Sequence, residues 1–518
     1  MSVPNCKHFD VCGLTDEADP EAGLCILHST KREKSSDAFA DALLAHRKMS
    51  QDFRAFVFPL STDFSGANFA EEPSFAGATF VRGASFAGAT FARGASFAGA
   101  TFFVWAHFQG ATFGGGAKFS NAKFISEAGF SGAQFTEEAS FHGATFEEKA
   151  NFSDATFAKR ASFTMATFAE AAHFSNAIFA QGAGFISATF AKKARFSGAQ
   201  FSDETNFYAA TFTEKAHFSD ATFVRGANLS GATFHGGVDF DGVAFQGGKV
   251  DFSNCALFGK TRFAPRRVRR DKLPVFGEAE VDFRAVRIEP PDAVAFVETN
   301  LGRCRFLDTD LRSVRLTGVT WAQMPWGVWS QVGARDAVYD EKKPEQYVPM
   351  PMAKIEDLYR QLKKNYEDQR DFDRAGDFHY GEKEMRRRNP GTPHGLQLLL
   401  TLYRWVSGYG ELWLRPLTLF LVLLLAGAVG YLSCGVWVKD LVGDGGHLLG
   451  TRGPGAAPVD GLAALGQSVL FSLRVMTLLR PDDMVPVGWS RLIQTAQSLL
   501  GPLLMGLAGL AIRQRLRR

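Results

Sequence analysis

The feature that most constrains this chain is a beat of phenylalanines. They stand at 64, 69, 75, 80, 86, 91, 97, 102, 108, 113, 119, 124, 130 and 135 and continue to 223, alternately five and six residues apart. Leu229 takes one place, and Phe234, Phe240 and Phe245 close the regular run. The unit is therefore eleven residues, A-x-F-x-x-A-x-F-x-x-x, and a fixed short period of this kind marks a solenoid. Fifty Phe against nine Tyr is the composition of a chain solving one packing problem many times.

An eleven-residue period also suits a right-handed helical coiled coil. The units, however, are rich in Gly, Thr and Phe, all weak helix formers, and Phe at steps of five would sit roughly 140° apart around a helix. A β-solenoid removes the conflict. Each five- or six-residue piece forms one side of a four-sided coil, with the Phe and the Ala two before it pointing inward. A coil then takes 22 residues, doubled from the unit, and neighbouring coils pair at roughly 4.8 Å.

The pattern resembles the pentapeptide-repeat proteins, whose rule is a small residue at i−2 and Leu or Phe at i, and whose fold is a right-handed quadrilateral β-helix. The resemblance covers about Phe53 to Trp321 and implies an all-β rod rather than a pocket for chemistry. Its interior is expected to hold Phe86, Phe91, Phe97, Phe102, Phe108, Phe113, Phe130, Phe152 and Phe174, with residues 22 apart stacked in columns. The extra residue on alternate sides is placed as a bulge at a corner. An irregular insertion is expected at about 264–292, around "APRRVRRDKLPVF", after which Phe296, Leu301, Phe306, Leu311, Leu316 and Trp321 return at strict steps of five.

Residues 1–50 read as a small Cys/His module with a linker helix. Cys6, Cys12, Cys25 and His28 follow C-x5-C-x12-C-x2-H, a set able to close a tetrahedral structural zinc site. His8 is a substitute ligand, and free cytosolic thiols are the alternative. Residues 322–352 read as a linker. In 353–410, Ile355, Leu358, Leu362 and Tyr366 share a helical face, and Phe372, Ala375, Phe378 and Tyr380 suggest a second helix. The hairpin looks tetratricopeptide-like or serves as a helical connector, and "GLQLLLTLYRWVSGYGELW" adds an interfacial helix.

Residues 412–518 read as an α-helical membrane domain. Two spans are expected, 416–438 and 492–512, with a re-entrant helix at 461–479. Arg386, Arg387, Arg388, Arg404 and Arg415 precede the first span, and Arg513, Arg515, Arg517 and Arg518 follow the second. Both flanks are therefore expected in the cytoplasm, and the opening "MSVPNCKHFD" lacks the pattern of a secretory signal. The order of helices resembles the two-helix pore domain of the potassium-channel superfamily, which implies a homo-tetramer around one pore. Thr477 is followed by Leu478, Leu479, Arg480, Pro481, Asp482 and Asp483 where a carbonyl filter needs glycines. Asp482 and Asp483 could instead form an acidic ring, or lie in a solvated loop. Arg474 is costly in a membrane unless paired.

These features imply a multi-pass protein of a bacterial inner (plasma) membrane. The leading expectation is an interaction scaffold for a cytosolic protein partner, with the lipid bilayer as anchor. An ion channel of altered cation selectivity is the alternative. Mimicry of DNA towards a topoisomerase requires an acidic rod. From Ser61 to Ala264, 17 acidic residues meet 15 basic ones, so that field is missing, and the overall net charge of +3 does not suit a nucleic-acid binder. No nucleophile, carboxylate pair or phosphate loop stands at a usable spacing, so no enzyme is expected. His107, His142, His173 and His217 fall on outward, scattered positions.

Overall fold

A computed structural model describes residues 7–12, 24–30, 36–268, 271–326, 333–344, 351–439, 446–449, 461–479 and 483–516. The chain divides into two compact units, Met1–Gln323 with Ala337–Gln346, and Met324–Asp336 with Tyr347–Arg518.

The first unit is a β-solenoid. Four parallel sheets of 11, 9, 10 and 12 strands form its sides, and the register advances by one coil at each pairing: Phe69 with Phe91, Phe91 with Phe113, Phe113 with Phe135. The four Phe columns are fully buried. Phe86, Phe108, Phe130, Phe152 and Phe174 stack face to face at 4.7–4.9 Å. Phe91 stacks on Phe113 at 4.7 Å, and Phe97 meets Phe108 edge to face at 5.2 Å. Each ring is thus stacked along the rod and tilted across it, which combines burial with the favoured quadrupole geometry.

The two kinds of step build two kinds of corner. After Phe86 the chain turns through Ala87 and Gly88, closed by Ala89 N–H donating to Phe86 O at 3.0 Å. The third residue of this turn has positive φ, 63° at Gly88, which explains the Gly, Asn and Asp found there in most coils. After Phe91 the corner takes three residues, Ala92–Gly94. The extra residue therefore lengthens a corner, as the spacing predicts. Long corners carry charges paired one coil apart, such as Arg93 with Glu71 and Lys149 with Glu127; being exposed, these pairs add little stability.

The irregular segment is shorter than expected. Among its described residues, a small antiparallel hairpin, Arg266–Val268 with Asp271–Leu273, leaves the coil. Phe276 already stacks on Phe245, and Phe283 on Phe252 at 4.8 Å, so most of 264–292 is rod. Both ends of the solenoid are covered. The Ser36–Met49 helix sets Phe39 edge-on to Phe58 at 5.9 Å and His46 Nε2 against Asp52 O at 2.6 Å. At the other end the short Tyr339–Lys342 helix places Asp340 to accept Phe306 N–H at 3.0 Å.

The second unit is helical. Pro351–Asp368 and Phe372–Arg388 form a hairpin that buries Ile355, Leu358, Leu362 and Tyr366 with Ala375, Phe378 and Tyr380. Arg335 lies buried over the rings of Tyr359 and Tyr380. Glu384, also buried, is held by Arg387, Arg388 and Arg404 and by the Tyr409 hydroxyl at 2.9 Å. Burial opposes its ionisation, but the three guanidinium groups outweigh it and hold the carboxyl at about 2. His394–Ser407 follows, then the apolar helices Leu414–Cys434 and Ser490–Leu516, with Gly461–Met476 packed between them in sequence. The first apolar helix stops earlier than the apolar run suggests: Gly435 breaks it at φ 89°, and Val436–Lys439 becomes the middle strand of a three-stranded sheet with Gly446–Leu449 and Met484–Pro486. The Gly461 helix likewise ends at Met476 rather than at residue 479.

Candidate metal centre and the polar core of the apolar helices

The short Phe9–Cys12 helix and the turn at Cys25–His28 bring Cys12, Cys25 and His28 together. The turn is set by Ser29 N–H donating to Cys25 O at 2.8 Å. Cys25 Sγ lies 3.6 Å from Cys12 Sγ and 3.2 Å from His28 Nδ1, and all three residues are buried. Two sulfurs on a zinc-like ion at about 2.3 Å in tetrahedral geometry would stand ~3.8 Å apart, so the cluster has the size that a metal requires and could hold one. Burial, with the Cys12 sulfur adding to it, pushes the Cys25 thiol up to about 12; sulfurs this close ionise beside a cation. His28 Nε2 faces Arg54 O at 3.1 Å, a contact that fixes the ring's orientation and leaves Nδ1 to face the sulfurs. Cys6, the fourth expected ligand, lies outside the described residues. His8 stacks on the His28 ring at 4.6 Å and stands outside the group of three ligand atoms. The cluster is seated on the first coil, with Val57 N–H donating to Leu27 O at 2.8 Å and the His28 ring edge-on to Phe56.

In the second unit, a polar core that sequence reading missed joins the three apolar helices. Gln497 Nε2 donates to Leu423 O at 2.8 Å and to Ser472 Oγ at 2.9 Å, Ser472 Oγ donates to Leu424 O at 2.8 Å, and Tyr431 donates to Gln497 Oε1 at 2.9 Å. Gln497, Ser472 and Tyr431 are all buried. Gly427 makes room for it: a Cβ there would come within 1.7 Å of Gln497 Nε2.

Of the pore-like residues, two are brought together. Arg474 Nη1 reaches Asp483 Oδ1 at 3.0 Å, so the costly arginine has its partner and Asp483 is not a free carboxylate. Thr477 turns its hydroxyl back to Leu473 O at 2.8 Å. Asp482 lies outside the described residues. On the rod, His107, His173 and His217 are not scattered: they stand in one outward column with Asn151, Arg195 and Asp239. Burial, with Arg195 and Lys149 adding to it, lowers the His173 pKa, and burial, with Lys215 adding to it, lowers that of His217. A cavity of about 550 Å³ beside the hairpin is lined by Asp220, Asp241, Arg262 and Arg266, but these charges already pair with one another.

No curated protein and no solved structure matches the chain. A family model described as pentapeptide repeats, nine copies, matches residues 53–102, 105–145, 141–189 and 185–233. These are the coils whose Phe columns, Ala rows and 22-residue register are described above, and residues 53–233 are built of the pentapeptide repeats that this family model describes.

Proposed function

We propose that the protein is a membrane-anchored interaction scaffold: the solenoid offers a long surface to a cytosolic protein partner, and two helices hold it in a bacterial inner membrane. The observation that carries this reading is the pair of helices Leu414–Cys434 and Ser490–Arg513, both long and apolar enough to cross a membrane. Their apolar side chains remain uncovered, Val422 at 63% and Leu499 at 70% exposure. The 21 residues of the first reach about 31 Å at 1.5 Å per residue, the thickness of a bilayer core. Trp413 stands at one end of that helix. Trp437 and Trp489 stand at the other, where Ser490 Oγ donates to Gly435 O at 2.7 Å, as expected for interfacial aromatic belts.

The His394–Ser407 helix exposes Leu398, Leu399, Leu402 and Trp405, the face of a helix lying in the lipid interface. Gly461–Met476 is 16 residues long, about 24 Å, which suits a re-entrant segment, and the arginine-rich flanks favour a cytoplasmic rod and C-terminal tail. Cys12, Cys25 and His28 would hold a structural zinc ion with Cys6, which would fix the N-terminal segment on the first coil. The reading involves no reaction. An ion channel has weaker support, because the Arg474–Asp483 pair removes one carboxylate from the acidic ring.

Sided labelling tests the anchoring. In a Cys434→Ser background, Gly453→Cys should react from outside intact cells and Gln514→Cys only after permeabilisation; labelling of both from one side refutes it. For the scaffold, current through planar bilayers that falls on the double change Asp482→Asn and Asp483→Asn would replace it with the channel.

A further inference from the structure

The long corners of the rod are mostly small or charged, and one stretch departs from this. Val81, Phe103 and Ile125 follow the column rings Phe80, Phe102 and Phe124, and each donates its N–H to the coil before at 2.8–3.0 Å, so they form one line along the rod. Further on, the same line holds Glu147. Leu60 and Phe103 are 46% and 51% exposed, and Val104 and Trp105 complete the patch. Trp105 lies flat: its ring stacks on His107 at 4.5 Å, and a Cβ on Gly83 would sit 2.1 Å from Trp105 Cε2. The aromatic surface is therefore pre-formed, which lowers the ordering cost of binding, and the exposed Phe103 beside the half-buried Trp105 has the make-up of an interface anchor.

The flanking charges select the occupant. Arg82 stands one coil before the Phe103–Trp105 corner and Glu127 one coil after it, each about 4.8 Å along the rod. Arg82 is exposed and has no ion pair among the described residues; Glu127 has Lys149 at 3.4 Å. A two-fold axis perpendicular to the rod at this corner carries the coil before onto the coil after. Arg82 of one chain then faces Glu127 of a second copy, twice, with the apolar patch closed between them. We propose that this corner is a self-association surface that binds a second copy of the chain antiparallel about a two-fold axis near Val104. Such an isologous contact needs the patch to be self-complementary, and a positive and a negative group placed symmetrically about an apolar centre satisfy that condition. The inference concerns the rod alone and does not rest on the membrane reading.

Sedimentation equilibrium of the full chain in detergent tests it. The wild type should dimerise, and Phe103→Glu, Arg82→Glu and Glu127→Arg should each raise the dissociation constant by about tenfold or more. The Arg82→Glu, Glu127→Arg double variant should regain the wild-type value, which a merely unfolded rod would not do. In the Cys434→Ser background, Val104→Cys should cross-link to its own symmetry mate under mild oxidation, and Met165→Cys should not. A monomeric wild type overturns the proposal. So does a dimer indifferent to Phe103→Glu, which would point to association through the helices, or a Phe103-dependent contact with an added acidic partner but not with a second copy.

Discussion

Replacing Phe130 by Ala should open the rod locally and by a large factor. Phe130 is fully buried, stacked on Phe108 and Phe152 at 4.8 and 4.7 Å and edge-on to Phe119, Phe124 and Phe141 at 5.3, 5.8 and 5.4 Å. Core Phe→Ala changes cost about 3–5 kcal/mol, and ring pairs contribute roughly 0.5–1.5 kcal/mol each beyond burial. The neighbours cannot collapse into the space, because the ladder holds them: Phe130 N–H donates to Asn151 O, and Phe108 N–H to Gly129 O, both at 2.6 Å. A loss of about 4 kcal/mol is therefore expected, close to a thousandfold in the opening equilibrium. In a solenoid each coil touches only its neighbours, so amide hydrogen exchange followed by mass spectrometry should show this loss over the coils from Phe108 to Phe152. The hairpin Pro351–Asp368 and Phe372–Arg388 should keep its protection. Phe130→Leu should lose far less, since Leu229 already occupies such a place. Uniform deprotection of the whole chain, a loss under about tenfold, or equal effects of Ala and Leu would refute the reasoning.

Three further outcomes are expected. Purified full-length protein should carry one zinc ion per chain by elemental analysis, and Cys25→Ser should abolish it and deprotect Val57, whose N–H is held by Leu27 O. Gly427→Ala should displace Gln497 from Leu423 O and Ser472 and cost about 1–2 kcal/mol of helix association, read by unfolding in bicelles; an unchanged midpoint would mean that the polar core is not tight. Burial, acting against the Asp336 N–H bond, raises Asp377 to about 7. A carboxyl raised in the folded state stabilises the fold most below about 3.9, and this contribution is lost as pH rises towards 7. Asp377→Asn should therefore raise the Tm at pH 8 and leave it nearly unchanged at pH 4.

The regular rod was legible because its period and its chemistry coincide: an inward Phe on every side of a four-sided coil explains the beat at 86, 91, 97, 102 and 108. The column of His107, His173 and His217 was equally open to reading, since their separations of 66 and 44 are multiples of the coil. Phe276 and Phe283 were missed because the hairpin shifts the count while leaving the stack intact. The strand at Val436–Lys439 hides in an apolar run that a membrane helix could also use, and only Gly435 marks the change. The Gln497 network and the Arg474–Asp483 pair join residues far apart in sequence with no periodic signal. At the metal centre, spacing named Cys12, Cys25 and His28 together with Cys6, and the structure brings the first three together.

The hairpin at Arg266–Leu273 has a consequence for how such a chain can change over time. Phe240 to Phe245 takes five residues, and the matching step one coil on, Phe263 to Phe276, takes thirteen. Eight additional residues are accommodated with the ring still stacked, Phe276 on Phe245 at 5.8 Å, because hydrogen bonding between coils fixes where the chain must rejoin. Length in this rod is counted in coils, not in residues. A lineage could therefore acquire recognition loops at its corners by insertion, or lengthen the rod by duplicating whole 22-residue coils, without redesigning the interior. The same tolerance makes the corners the natural place to graft a foreign epitope.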